Sequence, residues 1–205
     1  MNLKIENLST EQKLGMLLCA RRCHHEEDLQ YTLELIRNHA LGSVQVTCDK
    51  NAPRIIAAIR AVADYPILII ADMEEGYHRS TLPKLSAMTL AACHNVDYYR
   101  AFAKCLVAEA KVEGYSGMWG PVEDILRCDS PCIVYRHYGD TVDDVFEAGS
   151  TISEILRECG FFSTGKHYPG GHDQQEDTHM VEGESHVTEE ELILKIDYLE
   201  IFQGT

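Results

Sequence analysis

The chain has 205 residues, of which 45% are apolar and 25% charged, a composition typical of an ordinary soluble globular protein with one domain. Thirty-three acidic residues against 18 basic ones give a formal net charge of -15 at pH 7. A field of this sign repels phosphate backbones and anionic lipid surfaces. We therefore expect neither a nucleic-acid partner nor a membrane partner, and we treat residues 1–205 as a single domain.

The N-terminal residues lack the features of a secretory signal, because no apolar segment follows a basic stretch. No run of about 18 apolar residues, the length needed to cross a membrane, occurs anywhere in the chain. We therefore expect a cytoplasmic protein.

The eight cysteines fall mostly inside apolar runs and are sparse for a disulfide-stapled scaffold. Two short spacings resemble parts of metal sites: Cys19 and Cys23 followed by His24, and Cys128 with Cys132. Neither has a second ligand pair at zinc-site spacing. We therefore expect buried thiols and no metal.

Short apolar runs alternate with longer segments of helical period, the pattern of consecutive βα units around a parallel sheet. The sequence predicts five strands, at Leu14 to Ala20, Gly42 to Thr47, Ile67 to Asp72, Gly117 to Val122 and Phe161 to Lys166.

Helices are predicted by their start signals and by their apolar spacing. Ser9 with Gln12, and Thr188 with Glu191, fit the capping box, and the second box would begin a last helix over Glu189 to Phe202. Two further stretches have apolar residues at spacings of three and four, which predicts amphipathic helices that cover the sheet. These residues are Tyr98, Phe102, Cys105, Ala108 and Val112 in one stretch, and Val142, Val145, Phe146, Ile152, Ile155 and Leu156 in the other.

Polar residues follow three of the predicted strands at the point where each strand ends. They are Asp72 to Gly76 after the third strand, Glu123 and Asp124 after the fourth, and Lys166 with His167 after the fifth. In parallel α/β folds the carboxyl ends of the strands converge on one ligand-binding face. A single such residue often only caps a helix or pairs with a loop amide, but three consecutive clusters favour a functional site.

Three sequence motifs, in the same order along the chain, resemble glycoside hydrolase family 3. Lys166-His167-Tyr168-Pro169-Gly170 followed by Asp177-Thr178-His179 resembles the family signature KH(F/Y)PGHG…D(S/T)H. Ala71 to Gly76 resembles (I/V)DQEGG, and Gly120 to Asp124 with Arg136 to Gly139 resembles APVxD…RSFG. The resemblance covers roughly Ser9 to Phe202 and implies an α/β fold, an incomplete (β/α)8 barrel of the TIM type with about five of its eight βα units.

The resemblance is to the β-N-acetylhexosaminidase-like branch, and it implies a retaining glycosidase that removes a terminal β-linked sugar without a cofactor. In that branch the acid/base is a histidine held by an aspartate. Here the acid/base would be His179, and Asp177 would orient its ring and stabilise the imidazolium. Imidazole suits proton transfer because its unperturbed pKa is about 6.5.

The resemblance also implies a set of substrate-binding side chains. Asp72 would accept hydrogen bonds from sugar hydroxyls, and Arg136, Lys166 and His167 would donate to them. An alternative for Arg136 is an ion pair with Asp124 or Asp140.

The sequence departs from the family pattern in several places. Gly171 and His172 are exchanged relative to PGHG, and Tyr77 and Ser80 stand where the family usually has arginine. The geometry of the sugar site is expected to differ accordingly.

The family nucleophile lies beyond the dyad, in a region with no counterpart among the five predicted units. We therefore expect little or no hydrolysis by the chain alone. A truncated non-catalytic fragment that binds sugar or a partner chain is one alternative, and a β-glycoside phosphorylase is another. Strand edges left open by an incomplete barrel would favour self-association.

Overall fold

The computed structural model describes residues 4–20, 23, 26–80, 82–126, 131–168, 180–182 and 188. The chain forms two compact units, one of Met1–Asp72 with Ala108–Met118 and the other of Met73–Val107 with Trp119–Thr205. None of the helices within the described ranges has the length and apolar content needed to span a bilayer.

Five strands form one sheet in which every strand lies beside its neighbour in sequence. They are β1 (Cys19–Ala20), β2 (Ser43–Gln45), β3 (Leu68–Asp72), β4 (Gly117–Val122) and β5 (Phe162–Lys166), in the order β1-β2-β3-β4-β5. The first three pair in parallel, with Ser43 opposite both Cys19 and Leu68. Parallel neighbours joined by helices are the defining feature of consecutive βα units, so the predicted α/β fold is confirmed.

Within the described residues, six α-helices lie between or beside these strands. They are α1 (Thr10–Gly15), α2 (Glu26–Arg37), α3 (Ala52–Val62), α4 (Ala87–Ala91), α5 (Val96–Glu113) and α6 (Val142–Glu158), with 3₁₀ turns at Ile5–Asn7 and Pro131–Arg136.

Four of the five strands lie within two residues of their predicted bounds, but the first does not. Leu14 and Gly15 close α1, and β1 has only two residues. The capping box at Ser9 explains the difference. Its hydroxyl accepts a hydrogen bond from Gln12 N at 3.2 Å, and Gln12 Oε1 accepts from Ser9 N at 3.0 Å, so the helix begins before the apolar run and extends into it.

The second predicted capping box and the helix over Glu189 to Phe202 fall outside the described residues, which include Thr188 but not Glu191.

Three helices end in the same way, with a residue in the left-handed region and two hydrogen bonds back to the last turn. After α5 and α6 this residue is Gly114 (φ 98°) and Gly160 (φ 61°). After α2 it is His39 (φ 53°), and Ala40 N donates to Leu35 O at 2.9 Å. This is a Schellman motif, in which glycine is the usual residue. His39 therefore holds a position that is strained for a residue with a side chain, and its ring nitrogens lie within hydrogen-bond distance of Gln12 and Asp64.

The apolar face of α5 differs from the predicted one. Of the predicted residues, Tyr98 and Val112 are 51% and 88% exposed. The buried residues are one or two positions away, namely Tyr99, Ala103, Leu106, Val107 and Ala110. The helix carries two adjacent apolar stripes, and the one that packs contains the two alanines, because small side chains allow close approach. In α6 the prediction is largely correct, although Phe146 is 40% exposed.

Six cysteines have described side chains, and all six are thiols rather than disulfides. Cys23 and Cys48 are buried as expected, whereas Cys19, Cys93 and Cys105 are exposed. The expectation of buried thiols is therefore wrong for these three.

Candidate active site

Asp72, the last residue of β3, lies in the first unit. Its Oδ2 accepts a hydrogen bond from Gln45 Nε2 at 3.0 Å. Because Gln45 is the last residue of β2, the ends of two neighbouring parallel strands bring an amide and a carboxylate together. This is the strand end at which ligands bind in parallel α/β folds.

In the second unit, Glu74 binds two cationic side chains. Arg136 donates from Nε to Oε2 at 2.7 Å and from Nη2 to Oε1 at 2.8 Å, and Lys166 Nζ makes an ion pair with Oε1. All three side chains are largely buried, with 13–15% exposed. We call Glu74, Arg136 and Lys166 the Glu74 cluster. It joins the loop after β3, the 3₁₀ turn and the end of β5.

The contacts within the Glu74 cluster favour the charged forms of Glu74 and Arg136. Burial alone would raise the pKa of Glu74, but the hydrogen bonds from Arg136 and the charge of Lys166 outweigh it, and the pKa is lowered from its ordinary value. Burial opposes the charge of Arg136 as well, yet the hydrogen bond to Glu74 raises the pKa of the guanidinium. Two cations and one anion leave the cluster with a net positive charge.

The structure pairs Arg136 with Glu74, which the sequence reasoning had placed in the Asp72 to Gly76 segment without a role. Asp124, one of the partners predicted as an alternative, contributes electrostatically and favours the charged guanidinium.

Asp124 instead holds His167. Its Oδ2 lies 2.6 Å from His167 Nδ1 and accepts a hydrogen bond from the His167 backbone N–H at 3.1 Å. The Asp124 carboxylate is 2% exposed and the imidazole 32%. The backbone carbonyl of Asp124 accepts a further hydrogen bond from His137 Nδ1 at 2.7 Å. A buried carboxylate therefore orients a partly exposed imidazole.

Glu123 and Asp124 are adjacent in sequence, but their side chains have different surroundings. The Glu123 side chain is fully buried, and its carboxylate lies against the backbone at Gly149 and Gly165. A Cβ at Gly149 would lie 3.1 Å from Glu123 Oε1, and one at Gly165 only 2.7 Å from Glu123 Cδ. Glycine at both positions provides the space for the carboxylate. Nothing in the sequence around either glycine indicates a contact with Glu123, so this role could not be predicted from the sequence.

Tyr138 is a second buried residue that the motif comparison did not single out. Its ring makes an edge-to-face contact with Tyr99 at a centroid distance of 5.8 Å. Burial raises the pKa of Tyr138, and the nearby charge of Glu74 raises it further. The phenol is therefore a neutral group beside the charged cluster at any physiological pH.

A cavity of about 290 Å³ borders Tyr99, His137 and Tyr138, and acidic residues of α6 and the preceding loop line it. Neither Arg136, Lys166 nor His167 contributes to its lining. The cavity is thus separate from the predicted sugar-binding residues.

The predicted dyad, Asp177 with His179, lies outside the described residues. Among the residues that the structure does describe, no group of three or more His, Cys, Asp or Glu side chains is arranged to hold a metal ion. The described residues of the second unit offer hydrogen bonding by a guanidinium, an ammonium and an imidazole, each in contact with a carboxylate.

Comparison with known proteins identifies the family. Residues 9–203 match the model of the glycosyl hydrolase family 3 N-terminal domain. The chain is 26% identical over 183 residues to a β-N-acetylglucosaminidase/β-glucosidase of Cellulomonas fimi, covering 86% of this chain and 32% of that protein. It is 30% identical over 146 residues to a β-hexosaminidase of Idiomarina loihiensis, covering 67% of this chain and 44% of that protein.

The fold is similar to that of a solved structure. The solved glycoside hydrolase family 3 β-N-acetylglucosaminidase from Paenibacillus sp. str. FPU-7 matches with a TM-score of 0.71 and 24% identity, covering 84% of this chain and 35% of that one. The chain spans between about a third and just under half of the two sequence relatives. Because the family model covers nearly all of it, the chain belongs to glycosyl hydrolase family 3, to the N-terminal domain of that family.

Proposed function

We propose that this protein is a retaining glycosidase that removes a terminal β-linked sugar, a β-N-acetylglucosaminide or a β-glucoside. The observation that carries the proposal is the Glu74 cluster, in which one buried carboxylate holds two cationic hydrogen-bond donors together. Membership of glycosyl hydrolase family 3 supports it, as do relatives named for hexosaminidase and glucosidase activities.

The sugar is bound through its hydroxyl groups. Asp72 accepts from one or more hydroxyls, while Arg136, Lys166 and His167 contact others. Sugar hydroxyls are neutral, so charged partners give the stronger, charge-assisted hydrogen bonds. Arg136 uses Nε and Nη2 on Glu74, and a guanidinium has five N–H donors, so Glu74 occupies only some of them. Glu74 fixes the guanidinium plane and the remaining donors meet the sugar.

Proton transfer is assigned to His179, with Asp177 as its orienting partner. His179 protonates the departing oxygen and later takes a proton from water. This assignment rests on the motif that the two residues share with the family. No residue of this chain is assigned as the carboxylate nucleophile, so we expect negligible hydrolysis by the 205-residue chain alone.

The test uses azide, a small anion that can replace a missing carboxylate nucleophile. The purified chain is incubated with 4-nitrophenyl N-acetyl-β-glucosaminide or 4-nitrophenyl β-glucoside, with and without azide. Azide attacks the anomeric carbon, the bond to 4-nitrophenolate breaks, and the product is an α-glycosyl azide. We expect azide-dependent release that the Arg136→Ala variant loses and the Arg54→Ala variant keeps, because Arg54 pairs with Glu26 on the surface.

Other outcomes of this assay are equally informative. Rapid turnover without azide would overturn the view that the chain lacks a nucleophile. Release of a sugar phosphate on addition of inorganic phosphate would indicate a phosphorylase instead. Absence of azide-dependent turnover together with absence of sugar binding would overturn the glycosidase proposal. Size-exclusion chromatography of the same sample tests the predicted self-association.

A further inference from the structure

The cavity of about 290 Å³ beside Tyr99 lies outside the predicted sugar-binding residues, and the described residues that line it all belong to the second unit. Three of them are carboxylates, namely Asp140, Asp144 and Glu147. Neither lysine nor arginine occurs among the described lining residues. The cavity therefore carries an excess of negative charge that its described lining does not neutralise.

The three carboxylates are exposed, and their contacts leave them accessible to a ligand. Within the described part of the chain none of them forms an ion pair, and Asp144 accepts a hydrogen bond from the Thr141 hydroxyl at 2.6 Å. Asp144 and Glu147 are three residues apart on α6, a spacing at which helical side chains are neighbours. Two like charges side by side favour a cation that contacts both of them.

Tyr99 provides an independent indication of a ligand. Its side chain is only 4% exposed, yet its hydroxyl forms no hydrogen bond with any residue that the structure describes. Burial raises the pKa of Tyr99, and the charges of Glu147 and Asp144 raise it further, so the phenol oxygen lies near the carboxylates of the cavity. A buried hydroxyl without a partner costs free energy, and a hydrogen-bond donor in the cavity would satisfy it.

The composition of the lining favours an organic cation over a metal ion. Within the described residues no group of three or more His, Cys, Asp or Glu side chains is arranged to hold a metal. Apolar surface and aromatic rings complete the lining, and they are contributed by Met88, Ala91, Ala92, Leu126, Tyr99 and Tyr138. Aromatic rings attract cations, and apolar side chains accommodate a carbon chain. An alkylammonium ion matches both parts of this surface.

We propose that this cavity binds a small alkylammonium ligand. Its N–H groups donate to Glu147, Asp144 and the Tyr99 hydroxyl, while its carbon chain packs on the apolar side chains. Because the cavity shares no residue with the predicted sugar-binding set, the inference goes beyond the proposed function and does not depend on it.

The test is an NMR titration of the chain at constant ionic strength with n-butylammonium, and with n-butanol as an uncharged probe of similar shape. We expect saturable shifts of the cavity signals with butylammonium and none with butanol. Glu147→Gln should weaken binding about 3- to 10-fold, the loss of one charge-assisted hydrogen bond at an exposed site. Glu154→Gln is the matched control and should have no effect, because it removes the same charge from an exposed position of α6 outside the cavity.

Tyr99→Phe removes only the hydroxyl and should also weaken binding about 3- to 10-fold. A third probe, Nα-acetyl-lysine methylamide, distinguishes a protein lysine from a free amine as the source of the ammonium group. Tighter binding of this probe or of butylammonium supports the proposal and identifies the source.

Equal binding of butanol and butylammonium would overturn the proposal, and this comparison needs no variant. Equal losses of affinity in Glu147→Gln and Glu154→Gln would also overturn it, because binding would then reflect only the overall negative charge of the chain.

Discussion

Two histidine–aspartate pairs among the described residues have the same kind of contact and opposite burial. In the first unit His39 Nε2 lies 2.8 Å from Asp64, whose side chain is 67% exposed. In the second unit His167 Nδ1 lies 2.6 Å from Asp124, whose side chain is 2% exposed. Water can replace the imidazole at Asp64, but it cannot readily reach Asp124. We therefore expect the exposed His39–Asp64 pair to contribute little to the stability of the fold and the buried His167–Asp124 pair to contribute more.

The arginine–glutamate pairs repeat this contrast. Arg54 and Glu26 join α3 to α2 with 58% and 59% of their side chains exposed, while Arg136 and Glu74 are 13% and 15% exposed. Distance alone does not distinguish them, because the contacts are 2.9 Å and 2.7 Å long. Burial, rather than geometry, separates the pairs of the candidate site from those of the surface.

The largest expected effect is on stability when Glu74 is removed. Glu74→Ala leaves Arg136 and Lys166 as buried cations without their shared carboxylate. Breaking a buried ion pair in this way costs about 3–5 kcal/mol, so we expect a loss of that size in the free energy of unfolding, measured by urea denaturation. Glu26→Ala is the control and should leave stability unchanged within error. Equal losses of stability in Glu74→Ala and Glu26→Ala would show that burial does not distinguish the two ion pairs.

A smaller effect on the free energy of unfolding is expected when the pH is lowered. The pKa of Glu74 is lowered from 4.5 in the folded chain, so its contribution to stability is fully present above the unfolded value and is lost as the pH falls through the lowered one. The stability difference between wild type and Glu74→Gln should therefore shrink as the pH is lowered from about 6 to about 3. Urea midpoints at several pH values measure this. A difference that stays constant across the range would mean that the charge of Glu74 contributes nothing.

The smallest effect is expected at the exposed histidine–aspartate pair. Asp64→Asn removes a charge that water already solvates, so the free energy of unfolding should fall by no more than about 1 kcal/mol. The effect should also decrease with added salt, because exposed charges are screened. A larger, salt-independent loss would show that the pair at His39 is coupled to the strained end of α2.

Much of the fold could be predicted because local signals and burial agree. The bounds of β4 match the prediction at both ends, because this strand is a short, largely buried apolar run that ends in a polar cluster. The bounds of β5 differ from the prediction by one residue. The buried face of α5 could not be predicted, because the helix has two apolar stripes and only tertiary packing determines which of them is buried.

Part of the candidate site could also be predicted from the sequence. Motif order identifies Arg136, Lys166 and His167, and the structure places all three in the second unit. The order of the motifs does not indicate that Glu74 binds Arg136 and Lys166, because contacts between residues distant in sequence leave no local periodicity. The role of Asp124 depends likewise on a partner 43 residues away.

The Glu74 cluster also bears on the order in which the chain folds. Glu74 and Arg136 are 62 residues apart, so their contact closes a long loop whose entropy must be overcome before the ion pair forms. Contacts of this range generally form after local helices and neighbouring strands. We therefore expect the Glu74 cluster to form after the transition state for folding. Removal of the cluster is then expected to accelerate unfolding while changing the folding rate little.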